Sequence, residues 1–338
     1  MRITAKAPCR VDMAGGTLDI WPLYLFHHQA VTVNFAVDRY TTATIETRAD
    51  SEIHLRSTDL NREEHFTSLA HLNATKKYKL PLLAWVVRHF APTIGFSLAT
   101  DSEAPAGAGI SGSSALIIAV SSALSRLTGA GHNLEKIREI SQNIEAQIIR
   151  VPTGSQDYYP AMYGGVNALE LSCAGITRHA IPVDPEELNR RFVLAYTGLP
   201  RNSGINNWEV MKAHIDGSPR VYRNFERIAA ISNAMRNALQ TANWSDAARL
   251  LREEWSFRRK NAPGISTPFI DHLIKTATRQ GAEAAKVCGA GGGGCVFFLV
   301  SPESKARVAA SIVKEGGTVL PASVALQGVK LNAKQAGA

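Results

Sequence analysis

Apolar residues recur with a period of two over Ile3–Ala7, Val31–Val37 and Thr41–Thr47, which predicts strands opening the chain, with a polar, glycine-bearing interruption at Gly15-Gly16 between the first two. From about Ala84 onward the period becomes helical. Leu134, Ile137, Ile144 and Ile148 fall on one helix face, Asn133 stands where a side-chain oxygen would cap the first amides, and Pro152 marks the end. Near residues 180 to 200 the pattern changes again. Pro182 and Pro185 punctuate a short acidic turn before an apolar strand at Phe192–Tyr196, which places a domain boundary between a unit 1–188 and a unit 189–338. The second half reads as several helices, then Thr267-Pro268 opening a helix through Thr278. A glycine loop, a strand Cys295–Val300, a helix from about Pro302 to Lys314, strands near Val319 and Val329, and a loose tail Lys334–Ala338 follow. This order predicts an α+β architecture without internal repeats.

Composition narrows the class. The chain has 338 residues, 45% hydrophobic and 20% charged, which is enough apolar mass for one or two cores and excludes disorder as the main state. The longest apolar runs, Ala115–Val120 and Cys295–Val300, fall well short of a membrane span, and Met1–Lys6 lacks the apolar region of a signal peptide. A cytoplasmic protein with no membrane partner is expected. Cys9, Cys173, Cys288 and Cys295 are scattered without C-x-x-C spacing, so reduced thiols are expected. The net charge of +8 favours phosphate-bearing ligands. The densest basic groups, Lys76-Lys77 with Lys79 and Arg258-Arg259-Lys260, lack any nucleic-acid motif and read as solvated surface, with no nucleic-acid partner.

Two glycine loops stand out. Pro105–Ala115 (PAGAGISGSSA) leads directly into a small, apolar helix, the arrangement in which backbone N–H groups and a helix dipole cradle an anion. Gly107, Gly109 and Gly112 spell G-x-G-x-x-G. The dinucleotide reading fails because no acidic residue lies between Glu103 and Glu135 to hold a ribose, and a Walker loop fails because no lysine precedes the serines. A phosphate loop with hydroxyls in place of a lysine remains, the alternative being a plain Gly/Ser turn before a buried helix. The second loop, Lys286–Cys295 (KVCGAGGGGC), holds five glycines in six positions, a density that implies close approach by the first loop, by its ligand, or by a packing turn.

Together with Ala7–Gly16 (APCRVDMAGG), these loops resemble, in order, the three motifs of the GHMP kinase family. Ile144–Leu171 and Tyr196–Ser203 resemble its sugar-1-kinase branch, which includes heptose 7-phosphate kinases and fucokinase domains. Two departures occur: Cys9 and Ser111 stand where glycine is frequent. The resemblance implies a two-domain fold, an N-terminal α/β domain like the second domain of ribosomal protein S5 and a C-terminal ferredoxin-like domain, with ATP and acceptor in the cleft between them.

It also implies roles. ATP would lie on Pro105, Gly107, Gly109, Ser111, Gly112, Ser113, Ser114, Gly289, Gly291 and Gly292. Ser114 and Glu145 would hold Mg²⁺, hard oxygen ligands for a hard cation. Asp157 would be the catalytic base, with Arg10 against it to lower the cost of forming a sugar alkoxide. Asp19, Gly16 and Gly165 would bind the sugar, with Gly164, Thr197, Arg201 and Ser203 as further members of that pocket. His27 and His28, lacking a partner motif, read as ordinary surface or strand-edge residues. The expected reaction is phosphorylation of a sugar or sugar phosphate, at the anomeric hydroxyl of a heptose 7-phosphate or hexose, by a monomer or homodimer. A mevalonate- or homoserine-type kinase is the alternative, disfavoured by Asp19, and a non-catalytic nucleotide sensor is a second.

Overall fold

The computed structural model describes residues 1–200 and 203–335. Its first sheet is organised by two long antiparallel strands, β1 (Arg2–Ala14) and β2 (Val31–Thr47). The two alternating runs expected within β2 are one strand, because Val31–Val37 is buried on both faces while Thr41–Thr47 alternates. Register shifts at Pro8/Cys9 and Asp12/Ala14 bend β1 where the first motif begins and ends.

Five strands of this sheet go beyond the expected ones: β3 (Ile53–Ser57), β4 (Arg62–Phe66), β5 (Phe96–Ser102), β6 (Val166–Ser172) and β7 (Gly175–Ile181). Three of them interrupt the region that reads as helical. Each is short, and β4 and β7 bury only one residue apiece, so pairing with neighbours rather than their own pattern defines them. The sheet order is β12-β1-β2-β5-β3-β4, where β12 is the late strand Lys330–Lys334, with β6 on the Val31–Phe35 half of β2 and β7 outside it.

Against this sheet lie α1 (Leu69–Ala74), α2 (Pro81–Phe90), α3 (Gly112–Thr128), α4 (Leu134–Ile149) and α5 (Tyr159–Tyr163). Small residues let α3 pack closely on β1 and β2, and Gly129 at φ +69 ends it. Asn133 caps α4 by accepting the Lys136 N–H at 2.9 Å, as its position predicts.

The second sheet follows α6 (Pro185–Arg190), inside which the expected 188/189 division falls. Its strands are β8 (Phe192–Tyr196), β9 (Ala282–Val287), β10 (Cys295–Val300) and β11 (Thr318–Leu320), in the antiparallel order β11-β8-β10-β9. That is the ferredoxin-like order, first strand central and last strand at its side. Helices α7 (Ser203–Ile215), α8 (Pro219–Gln240), α9 (Trp244–Arg258) and α10 (Pro268–Arg279) separate β8 from β9, and α11 (Lys305–Lys314) leads to β11. Thr267 caps α10 and Pro268 occupies its first turn. Phe35 meets Phe192 and Phe297 edge-on at centroid distances of 5.4 and 5.8 Å, a buried aromatic joint between the two sheets. The chain then returns: β12 (Lys330–Lys334) pairs with β1, so Lys334 is strand rather than loose tail. Among the described residues, no helix is long and apolar enough to cross a membrane.

Candidate active site

Between the sheets lies a cavity of about 510 Å³, lined by the first glycine loop, the ends of α3 and α4, the Pro152–Asp157 turn, and Arg10, Asp19, Arg258 and Gly289. The loop delivers its backbone to the N-terminus of α3. The first turn closes when the Ala115 N–H donates to the Ser111 carbonyl at 2.9 Å, so the Gly112, Ser113 and Ser114 amides precede it and face outward from the positive helix end. Ser111 adopts a left-handed φ of +61, which explains why glycine suits this position elsewhere, and its buried Oγ has no partner among the described residues.

Glu145 emerges from the last turns of α4 as a buried carboxylate. It accepts hydrogen bonds from Ser113 Oγ (2.7 Å), Ser114 Oγ (3.1 Å) and Tyr158 Oη (2.6 Å). Burial raises its pKa even though these hydroxyls pull the other way. Among the described residues no lysine or arginine pairs with it, so a buried anion stands beside the Ser113 and Ser114 hydroxyls without a cation. Hard oxygen donors with unbalanced negative charge fit Mg²⁺.

Asp157 follows a turn held from two sides. Asp19 Oδ2 accepts the Gln156 N–H at 2.8 Å, and Asn34 Nδ2 donates to the Gln156 carbonyl at 3.2 Å. Gly154 lets this turn approach Asp19 closely: a Cβ there would lie 2.2 Å from Asp19 Oδ2 and would force the carboxylate to shift. Arg10 donates from Nε (2.8 Å) and Nη2 (2.5 Å) to Asp157 Oδ1, and from Nη1 to the Gly109 carbonyl at 2.7 Å. Asp157 Oδ2 is left without a partner among the described residues, on the cavity wall. Burial works against the charge of Arg10, yet Asp157 and Asp12 outweigh it and the guanidinium holds its proton more tightly than a free arginine. Burial, reinforced by Asp157, pushes Asp19 up to about 7.

The second glycine loop joins β9 to β10, strand to strand rather than helix to strand. Its close visitor is the first loop. The Cys295 N–H donates to the Ala108 carbonyl at 2.6 Å, and Gly294, at φ +78, leaves no room for a Cβ, which would lie 2.6 Å from the same oxygen. Beneath this contact is a charge cluster that sequence reasoning missed. Lys286 Nζ lies 2.8 Å from Asp12 and 3.0 Å from Glu254, and Asp12 also accepts the Gly289 N–H at 3.0 Å. Arg258 reaches the Gly289 carbonyl at 2.6 Å and stands 3.6 Å from both carboxylates. Arg258 is thus buried at the joint, which corrects its reading as solvated surface. The available clue was alternation: Asp12 shares a strand face with Arg10, and Lys286 opens the third motif.

Several expected site residues lie elsewhere. Gly289 lines the cavity, whereas Gly291 and Gly292 pack on Ile265, with the Gly292 N–H donating to its carbonyl at 2.9 Å. Gly16 faces the Arg258 guanidinium, which fills the space of a side chain. Gly165 donates to the Ala325 carbonyl at 2.7 Å, away from the cavity, and Gly164 packs on Gln327. Thr197 Oγ1 donates to the Gly294 carbonyl at 2.9 Å and so clamps the glycine loop. Arg201 lies outside the described residues, and Ser203 begins α7. His27 is buried, not on the surface: its Nε2 lies 2.8 Å from that of His214, and burial with this neighbour pushes it down to about 4. His28 is exposed.

Comparison with known proteins matches the GHMP kinases N terminal domain over residues 78–165 and the GHMP kinases C terminal domain over residues 235–318. The chain is 28% identical to D-glycero-alpha-D-manno-heptose 7-phosphate kinase of Campylobacter jejuni, over 97% of this chain and 98% of that one. Among solved structures, it resembles a D-glycero-D-manno-heptose 1-phosphate kinase from Bacteroides thetaiotaomicron at 22% identity and TM-score 0.79, covering 99% and 100% of the two chains. It also resembles Lactococcus lactis galactokinase complexed with galactose, at 18% identity and TM-score 0.80, covering 97% and 95%. With both domain matches falling on the halves that meet at the glycine loops, and with the likeness running along the whole chain, this protein belongs to the GHMP kinase family, phosphotransferases whose acceptor is an alcohol.

Proposed function

We propose that the chain transfers the γ-phosphoryl group of ATP to a sugar, at the anomeric hydroxyl of a heptose 7-phosphate or a hexose. One observation carries the reading: Asp157, tied through Oδ1 to Arg10 and open at Oδ2, shares a cavity with the helix N-terminus, the Glu145–Ser114 pair and Asp19. The triphosphate would lie along the amides at the start of α3. The nucleoside would extend toward the turn between β3 and β4, where Ser57, Asp59 and Leu60 line the same cavity. Ser114 and Glu145 would hold Mg²⁺, which neutralises phosphate charge when bound. Asp157 Oδ2 would accept the acceptor proton, and Arg10 would stabilise charge developing on the attacking oxygen. Asp19 would take hydroxyls of the sugar. A screen for ADP release over free and phosphorylated sugars, with mevalonate and homoserine included, tests the assignment. Release with no carbohydrate would end it.

The metal assignment predicts that Ser114→Ala raises the Mg²⁺ concentration needed for half-maximal turnover, since one hard ligand is lost and Ser113 keeps Glu145 in place. An unchanged metal titration would remove Ser114 from the ligand set.

Asp19 predicts a pH signature. Its pKa is about 7 in the folded chain and about 4 when unfolded, so folding favours the proton and the charged form costs stability as pH rises through that window. Asp19→Asn should therefore gain stability relative to wild type between about pH 4 and pH 7 and stay level above, while KM for the sugar rises. A difference in melting temperature independent of pH would contradict the buried carboxylate.

A further inference from the structure

The basic group Lys76-Lys77, which the reaction leaves unused, borders a second pocket of about 490 Å³ formed by the connection from α1 to α2, by α2 itself and by the end of α4. We infer that this pocket binds a small phosphate-bearing ligand with a planar ring, a site separate from the nucleotide and acceptor positions. Its volume is that of a small-molecule pocket, roughly 300–1,000 Å³. Lys76, Lys77, Arg88 and Arg150 line it, and no carboxylate does. Some surface cations elsewhere pair with carboxylates, as Arg138 does with Glu135, Arg249 with Asp246 and Glu253, and Arg48 with Asp50. None of these four has an ion pair among the described residues, so the pocket concentrates positive charge with nothing to offset it.

Ring surface is supplied alongside. Trp85 is half-buried on the wall with the Arg88 guanidinium over it, 5.3 Å from the ring centroid, and Tyr78 is held by its hydroxyl donating to the Leu72 carbonyl at 2.9 Å. Four cations beside two aromatic faces suit a phosphate dianion carried on a ring better than a single carboxylate.

The pocket also borders the active cavity. Pro81 and Ile148 line both. Arg150 ends α4 in the left-handed conformation, φ +59, and opens the turn that carries Asp157. A ligand that draws in Arg150 therefore bears on the segment presenting the base, which makes the site regulatory.

The test uses the full chain saturated with a non-hydrolysable ATP analogue and Mg²⁺, so that the active cavity is filled. Tryptophan fluorescence is followed against AMP (ring and phosphate), adenosine (ring alone), inorganic phosphate and citrate. AMP is expected to give a saturable change that Trp85→Phe abolishes. Lys76→Ala/Lys77→Ala and Arg150→Gly, the latter preserving the helix end, should each weaken it about tenfold through lost charge-assisted bonds. The lysine variant should leave basal turnover unaltered. The inference is overturned if no probe saturates, if citrate binds as tightly as AMP, or if the variants respond like wild type. Because the readout is binding at Trp85, its failure is distinct from failure of the kinase assignment.

Discussion

Asp157→Asn is expected to lower turnover by at least about a hundredfold while ATP binding persists, the magnitude of losing a positioned general base. The asparagine oxygen can still accept both Arg10 bonds that Oδ1 now receives, and the neighbouring backbone stays fixed by Asp19 and Asn34. What disappears is the basic second oxygen on the cavity wall. Loss of turnover with ATP affinity preserved by calorimetry isolates that oxygen. Turnover equal to wild type would remove Asp157 from the mechanism, and loss of both would mean that it supports the loop instead. Phosphoryl transfer leans heavily on positioning and electrostatics, so the residual rate measures what the helix N-terminus and Arg10 contribute without a base.

Much of this arrangement was legible in the sequence where local chemistry determines it. Asn133, Thr267 and the strands Phe192–Tyr196 and Cys295–Val300 follow from caps and apolar runs, and the glycine loops announce close backbone approach by their composition. Polar short strands such as β4 were not legible, because their stability comes from partners distant in the chain. The same holds for site residues. Arg10 and Asp157 are 147 positions apart, and only motif order linked them beforehand. Gly291 and Gly292 show how far composition reaches: the glycine density implies close approach by the first loop, by its ligand or by a packing turn, and in the fold these two glycines lie against Ile265 while Gly294 meets Ala108. His27 was misread because burial beside His214, 187 positions away, leaves no local trace.

Asp12→Asn is expected to destabilise the fold by about 3–5 kcal/mol, the cost of leaving buried charge uncompensated. Asp12 is fully buried and faces three cations: Lys286 at 2.8 Å, Arg258 at 3.6 Å and Arg10 at 3.7 Å. With Glu254 and Asp157 it balances them three against three, and asparagine leaves three cations against two carboxylates. Burial opposes the charge of Asp12, but Lys286, Arg10 and Arg258 hold its pKa far below the usual carboxylate range. A depressed folded pKa adds stability that is complete above the unfolded value of about 4 and is lost as pH falls below it, so the variant should also show a flatter acid limb. Charge balance, and not merely the hydrogen bonds, is tested by adding Lys286→Met, which restores two against two. The double variant should then be more stable than the sum of the two single losses predicts, by about 0.5–3 kcal/mol in a denaturation cycle. Additive losses would reduce the cluster to independent contacts. Retained stability in Asp12→Asn alone would mean that the joint between β1, α9 and the second glycine loop does not depend on this charge.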